Sequence, residues 1–392
     1  MKYDFDHIPE RKGTNCIKFD ELKETFGRDD LIPMWIADMD YEVAPAISEA
    51  LAKRMEHHVF GYSHPTEKYW QSIIGWLKRR HGMTVEREQI TFVPGIVKAV
   101  GLAINFFTKP GDKVLIQPPV YHPFKRLTEG NGRICVENPL KPTPDGFYEM
   151  DLKGLDRVMA EQKPRMMVLC NPHNPIGIQW SKETLAEVAR LAKRHGVIVI
   201  SDEIHADLML GGKPHFPFLD ASEDASEVGI MFGAPSKTFN IAGLVSSWCV
   251  IRNPRLREPF YNWLEVNELN AATQVAAIAT EAAYDYGEEW LDECLAYMEE
   301  NIRFMDEYVK KNICGARVVW PQASYLVWLD LRGLGMNARE IEKFVVDKAR
   351  LALNPGDMFG SGGEGFMRFN VGTSREVLRN ALENLKAAVD SL

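Results

Sequence analysis

Residues 164–203 read "PRMMVLCNPHNPIGIQWSKETLAEVARLAKRHGVIVISDE", and this stretch decides the fold. "MMVL" and "VIVI" are short, wholly apolar runs of the kind that form strands buried on both faces. The segment between them, "SKETLAEVARLAKRHG", reads as a helix. Strand, helix, strand is the repeating unit of a parallel sheet covered by helices.

The same alternation extends in both directions. "QITFVP", "KVLIQPP" and "RICVENPL" read as strands before this stretch, and "VGIMFGAP" and "SSWCVIR" after it, with "GIVKAVGLAINFFT" as a helix. Seven strands predict an α/β fold with a mostly parallel seven-stranded sheet. Helices are expected at 46–58 and 67–82, flanking the aromatic loop "VFGYSHPT", and at 267–284 and 288–311, while the first thirty residues or so read as polar and irregular. From about residue 316 the pattern becomes α+β, with strands in "ARVVWP", "SYLVWLDL" and "GFMRFNVG" and helices in between and after. These shifts predict a large domain at 46–285, and a smaller one built from 1–45 and 286–392.

The chain has 392 residues, with Lys+Arg 46 against Asp+Glu 55 and a net charge of -9. This balance leaves no broad basic face, which argues against nucleic acid or an anionic membrane as main partner and leaves a small molecule. The six cysteines are scattered without a CxxC pair or metal-ligand spacing, so no metal is expected and a reducing compartment is. No run approaches the ~18 apolar residues of a membrane helix, and "MKYDFDHIPERKGTN" lacks a signal peptide's apolar stretch. The expected location is the cytoplasm.

Four segments carry polar groups just past strand ends, where open parallel sheets bind ligands. In "VPGIVKAV" a strand turns into a helix at Pro94-Gly95, and free backbone amides at Gly95, Ile96 and Val97 suit a phosphate. In "CNPHNPIG" two Asn-Pro steps fix a loop that can hold the amide of Asn174 at a set point. "VIVISDEIHAD" places Asp202 just beyond four β-branched residues, where a carboxylate needs a positive partner: a protonated ring nitrogen, or an ordinary Lys or Arg. "GAPSKTFNIAGLV" sets Lys237 among small and apolar residues, a setting that lowers a lysine's pKa and frees its amine for covalent catalysis. Two decoys are set aside. "GSGGEG" at 360–365 fits GxGxxG but runs into a strand rather than a helix, so it reads as a flexible loop, and His57-His58 reads as a solvated helix end.

Taken in order, "NPHNPIG", "SDEIH" and "APSKTFNIAGL" resemble the signature of fold-type I pyridoxal-phosphate enzymes, the aspartate aminotransferase-like fold, over almost the whole chain. More narrowly, "PMWIADMD", "PPVYHPF", His205 after "SDEI" and "APSKTFN" resemble the cystathionine β-lyase and C-S lyase branch of PatB and MalY type. The resemblance implies pyridoxal 5'-phosphate as cofactor. It makes Lys237 the amine that holds the cofactor covalently and then removes the substrate α-proton. It assigns Asp202 to the pyridinium nitrogen, Asn174 to the ring's 3-oxygen with His205 nearby, and Tyr121 to the ring face, counted with Lys237 as catalytic. Gly95, Ile96, Val97 and Ser236 would hold the phosphate, joined by Tyr62 from the second subunit of a homodimer. Arg368 would bind the substrate α-carboxylate, with Ala37, Asn354 and Tyr325 lining the substrate side.

The sequence departs from the aminotransferase pattern at two places. Val245 stands where many aminotransferases carry a phosphate-binding arginine, and His205 stands where they often carry tyrosine. Both favour α,β-elimination on cystathionine or cysteine S-conjugates, releasing a thiol such as homocysteine, pyruvate and ammonia. A class I/II aminotransferase is the alternative. A binding-only protein would call for loss of Lys237, Asp202 or Arg368, and all are present.

Overall fold

The structure, a computed structural model, describes residues 2–143 and 147–392. The seven expected strands form one sheet: β1 (Ile90–Val93), β2 (Lys113–Ile116), β3 (Ile134–Glu137), β4 (Met166–Cys170), β5 (Ile198–Asp202), β6 (Gly229–Gly233) and β7 (Ser247–Val250). Their spatial order is β1-β7-β6-β5-β4-β2-β3. Only β7 runs against its neighbours, so the sheet is mostly parallel.

The apolar runs are continuous because both faces are covered. Alternate residues of a strand point to opposite faces, and β4 divides accordingly. Met167 and Leu169 belong to the apolar cluster that includes Leu185, Val188 and Ala189 of the helix Lys182–His195, while Met166 and Val168 belong to a second cluster with Ala99, Val100 and Ala103 of the helix Ile96–Phe107. Each helix has a physical start. The Ser181 hydroxyl accepts from the amide of Thr184 at 3.1 Å, and the helix it opens stops at Gly196 in the left-handed region. The other starts at Gly95, whose φ of 92° turns the chain out of β1.

The second sheet is antiparallel, made of β8 (Arg317–Val319), β9 (Leu326–Asp330), β10 (Asn354–Pro355) and β11 (Phe366–Asn370) in the order β8-β9-β11-β10. The two-residue strand β10, absent from the sequence pattern, pairs Asn354 with Arg368. "GSGGEG" is the turn that leads into β11. Near the N-terminus, Ile32–Pro33 pairs in parallel with Leu351–Ala352, tying the start of the chain to its end.

Several boundaries differ from expectation. The helix expected from residue 267 begins at Gln274, because Thr273 caps it by accepting from the amide of Ala276. A separate helix, Pro254–Val266, precedes it, and Leu152–Gln162 and Pro123–Gly130 are also helical. The supposedly irregular first thirty residues contain the short helices Ile17–Asp20 and Leu22–Phe26, held by a buried ion cluster. Lys18 donates to Asp40 at 2.9 Å, and Arg11 donates to both Asp40 and Asp38.

Gly233 ends β6 beside Trp248 of β7, and a β-carbon there would sit 2.2 Å from the indole ring. Gly233→Ala should therefore lower the urea midpoint of unfolding by the equivalent of about 1–3 kcal/mol, the cost of overpacking a filled core. An unchanged midpoint would show that this strand pair has slack.

Candidate active site

The C-terminal ends of β4, β5 and β6, and the turn after β1, converge on one edge of the sheet, where they border a cavity of about 240 Å³. β5 delivers Asp202 there, the loop after β4 delivers Asn174, and the turn after β1 delivers Gly95, Ile96 and Val97. β6 leads into the one-turn helix Pro235–Thr238, which carries Ser236 and Lys237. Tyr121, His205 and Ala37 complete the wall among the residues expected from sequence.

Lys237 donates from Nζ to the carbonyl of Ala37 at 2.5 Å. Burial lowers this amine's pKa to about 8; the charge of Arg368 pushes the same way, and Asp38 and Asp202 oppose it. The Ala37 carbonyl is itself fixed. Tyr325 donates its hydroxyl to it at 3.0 Å, and the Asn370 amide donates to the flanking carbonyls of Ile36 and Asp38 at 2.6 and 2.7 Å. Asn240 donates to the carbonyls of Met39 and Tyr41, both at 2.9 Å. Asn240 and Asn370 are thus positioning residues that the sequence reading missed. Their signal, an amide beside an otherwise apolar run, is too common to single them out.

Asp202 is buried and accepts one hydrogen bond, from the amide of Ile204 at 3.2 Å. No Lys or Arg pairs with it among the described residues, so the ordinary ion pair left open by the sequence does not form. Burial raises its pKa to about 7, with the neighbouring Glu203 charge adding to the effect. His205 is buried too, its Nδ1 has no partner, and burial lowers its pKa to about 3, so the ring is neutral at physiological pH.

Arg368 is only 5% exposed and meets neutral acceptors. It donates to the carbonyl of Trp35 at 2.9 Å, to Asn354 Oδ1 at 2.7 Å and to Asn174 Oδ1 at 3.2 Å, while its Nε has no partner. Burial drops its pKa to about 10. A guanidinium buried without a carboxylate is held at a cost, and an anionic ligand would relieve it. Asn354 and Tyr325 reach the site through these contacts rather than by lining the cavity.

At the opposite end, the Ser236 hydroxyl donates to the carbonyl of Ser246 at 3.2 Å, and Gly95 neighbours Val245, whose Cγ1 a β-carbon there would meet in ordinary contact at 3.5 Å. Val245 has φ 52°, rare for a β-branched residue. Cys170, Ile204, Ser247 and Lys98 also border the cavity, none of them expected. Tyr62 is not brought to it: the side chain stands fully exposed on the loop after the helix Pro45–Met55.

A strand-end cavity that combines an amine of lowered basicity with a buried carboxylate, and whose lining residue Asn174 is bonded to a buried guanidinium, defines an α/β enzyme built for covalent amine chemistry on a small anion. The chain belongs to the aminotransferase class I and II family, whose model matches residues 29–385. It is 43% identical over 385 residues to the cystathionine beta-lyase PatB of Bacillus subtilis, covering 98% of this chain and 99% of that protein. Cystalysin from Treponema denticola, solved with pyridoxal 5'-phosphate, superposes with a TM-score of 0.95 at 33% identity, covering 100% of both chains. The PLP-bound C-S lyase from Staphylococcus hominis gives 0.92 at 31%, over 99% of this chain and 98% of that one.

The Asp202 shift has a stability consequence. Because its folded pKa is raised from the usual 3.8 to about 7, the native state holds more protons than the unfolded state in that window. Its burial penalty therefore grows as pH rises from 3.8 to 7 and is complete above. In chain freed of bound small molecules, Asp202→Asn should match the wild type near pH 4 and exceed it by up to about 4 kcal/mol at pH 8. Urea denaturation at the two pH values reads the difference; a constant offset would place the ionised carboxylate in a solvated or paired setting instead.

Proposed function

We propose that this chain is a pyridoxal-phosphate-dependent C-S lyase that cleaves L-cystathionine or related cysteine S-conjugates by α,β-elimination to a thiol, pyruvate and ammonia. The observation that carries the reading is a cavity lined by the low-basicity amine of Lys237 and by Asn174, behind which the carboxylate-free guanidinium of Arg368 is bonded to Asn174, in a chain similar to C-S lyases end to end.

The residues fit the cofactor. Gly95 holds a conformation that side chains resist, and the helix it opens directs the amides of Ile96 and Val97 beside Ser236, a cradle for a phosphate. Asp202, buried without a cation, suits a protonated ring nitrogen, and Asn174 and neutral His205 stand where a ring oxygen finds hydrogen-bonding partners. Tyr121 offers an aromatic face at the wall. When bound, pyridoxal phosphate supplies an aldehyde that captures amines and a ring that accepts the electron pair left by a departing α-proton.

The chain's own residues then divide the work. Arg368 takes the substrate α-carboxylate and fixes the orientation of the α-carbon. The carbonyl of Ala37 holds the Lys237 amine at a set point, and a pKa lowered to about 8 keeps a usable fraction of the amine neutral and able to accept the α-proton near physiological pH. Buried walls exclude water while the carbon–sulfur bond breaks. The enzyme works in the cytoplasm, a reducing compartment that suits its six unpaired cysteines.

The functional unit is a homodimer. Val59, Phe60 and Tyr62 are all exposed on one loop, an apolar patch whose covering by a second copy would carry Tyr62 to the partner's phosphate cradle.

Two experiments separate this reading from its rivals. Purified enzyme given L-cystathionine and no keto acid should release pyruvate and a free thiol in equal amounts. Product that forms only when a keto acid is added would make the protein an aminotransferase. For the shared site, a Tyr62→Ala variant and a Lys237→Ala variant, each nearly inactive alone, should regain activity when mixed and allowed to exchange subunits, up to about a quarter of the wild-type rate if pairing is random. No recovery despite proven exchange would confine each site to one chain.

A further inference from the structure

The phosphate cradle raises a question of charge. Its walls are Gly95, Ile96, Val97, Ser236 and the aliphatic Val245, none of which is ionic. Among the described residues, two cations border the cavity, Lys237 and Lys98. The Lys237 amine is engaged elsewhere, donating to Ala37 at 2.5 Å. Val245, exposed at the cavity beside Gly95, adds an aliphatic side chain there and no cation.

Lys98 is the third residue of the helix Ile96–Phe107. A lysine in a first turn opposes the helix dipole, whose positive end lies there, and is unfavourable unless an anion sits at the same end. Helical side chains lean back toward the N-terminus, which aims this one at the cradle rather than away from it. Lys98 has no ion pair or side-chain hydrogen bond among the described residues, whereas many of the other surface lysines, such as Lys125 and Lys193, are paired with carboxylates.

We propose that Lys98 is the cationic partner of the cofactor's phosphate in this chain, compensating from the helix side for the aliphatic residue at Val245. It is a cofactor-binding residue with no part in the proton transfers. This rests on the pyridoxal-phosphate reading of the site and adds the source of the balancing charge.

The test compares pyridoxal 5'-phosphate with pyridoxal, which lacks the phosphate, by titrating each into cofactor-free full-length protein and reading Kd from visible absorbance. Lys98→Met should weaken pyridoxal phosphate binding about tenfold and leave pyridoxal binding within twofold. Lys98→Arg should restore the wild-type value, and raising salt should narrow the gap between wild type and Lys98→Met. Equal losses for both ligands would make Lys98 a structural residue and overturn the proposal, as would no loss for either. A size-exclusion profile that shifts in Lys98→Met, with both affinities reduced alike, also overturns it, because the lysine would then serve the subunit interface. A wild-type chain that binds no pyridoxal phosphate defeats the cofactor reading and this proposal together; a wild type that binds while the variants fail to discriminate defeats this proposal alone.

Discussion

The hydrogen bond from Lys237 to the carbonyl of Ala37 joins residues 200 positions apart and sets the geometry of everything around it. One end is anchored in the rigid sheet, because the helix Pro235–Thr238 comes directly after β6. The other end is a loop, and loops hold a set position only if their backbone groups are tied. Asn370 and Asn240 tie it from both sides, Arg368 takes the carbonyl of Trp35 just before it, and the ion cluster of Arg11, Lys18, Asp38 and Asp40 clamps the residues just after it. A backbone carbonyl so constrained cannot move with the amine if the amine shifts, which makes the contact a fixed reference point for a mobile side chain.

Behind the cavity a second layer of polar contacts keeps the sheet ends in place. Thr238, next to Lys237, donates to Asp207, which also accepts from Trp76 Nε1 at 2.9 Å and pairs with His81. Glu203, next to Asp202, accepts from Ser201, from the amide of Phe218 and from His215. These carboxylates have their partners inside the protein, whereas Asp202 faces the cavity with a single amide donor. The contrast separates structural from functional carboxylates on physical grounds. A fully satisfied buried carboxylate rigidifies the fold, and an unsatisfied one with a raised pKa is a site awaiting charge.

Much of this was legible in the sequence, for reasons that also explain the gaps. The central strands announce themselves because both faces are buried, leaving no polar alternation to confuse them. Lys237, Asp202 and Asn174 stood out because each polar group comes directly after an apolar strand. The helix Pro254–Val266 was hidden by Pro259 inside it, a residue that normally argues against a helix interior. Pro123–Gly130 is too short and too polar to show a period. Asn354 could be placed near the end of the chain's apolar runs, but its position opposite Arg368 depends on a two-residue pairing that has no local signature. The buried Lys18 was equally invisible, since a lysine is expected at the surface and its partners lie about twenty residues away.

The electrostatics around the cavity finally explain why fold and chemistry are coupled here. Burial works against the charged form of Asp202, Lys237 and Arg368 alike, raising the acid and lowering both bases. Such a site is stable only because the surrounding core supplies the energy to hold it. Each penalty is relieved by a different charge: a cation for Asp202, an anion for Arg368, and a covalent bond that removes the amine's charge problem for Lys237. A pyridinium ring, an amino-acid carboxylate and an aldehyde meet all three demands at once. Ligand binding and catalysis therefore draw on the same stored unfavourable energy, and a change that lessened these burial penalties in the protein would weaken its hold on the reacting molecules.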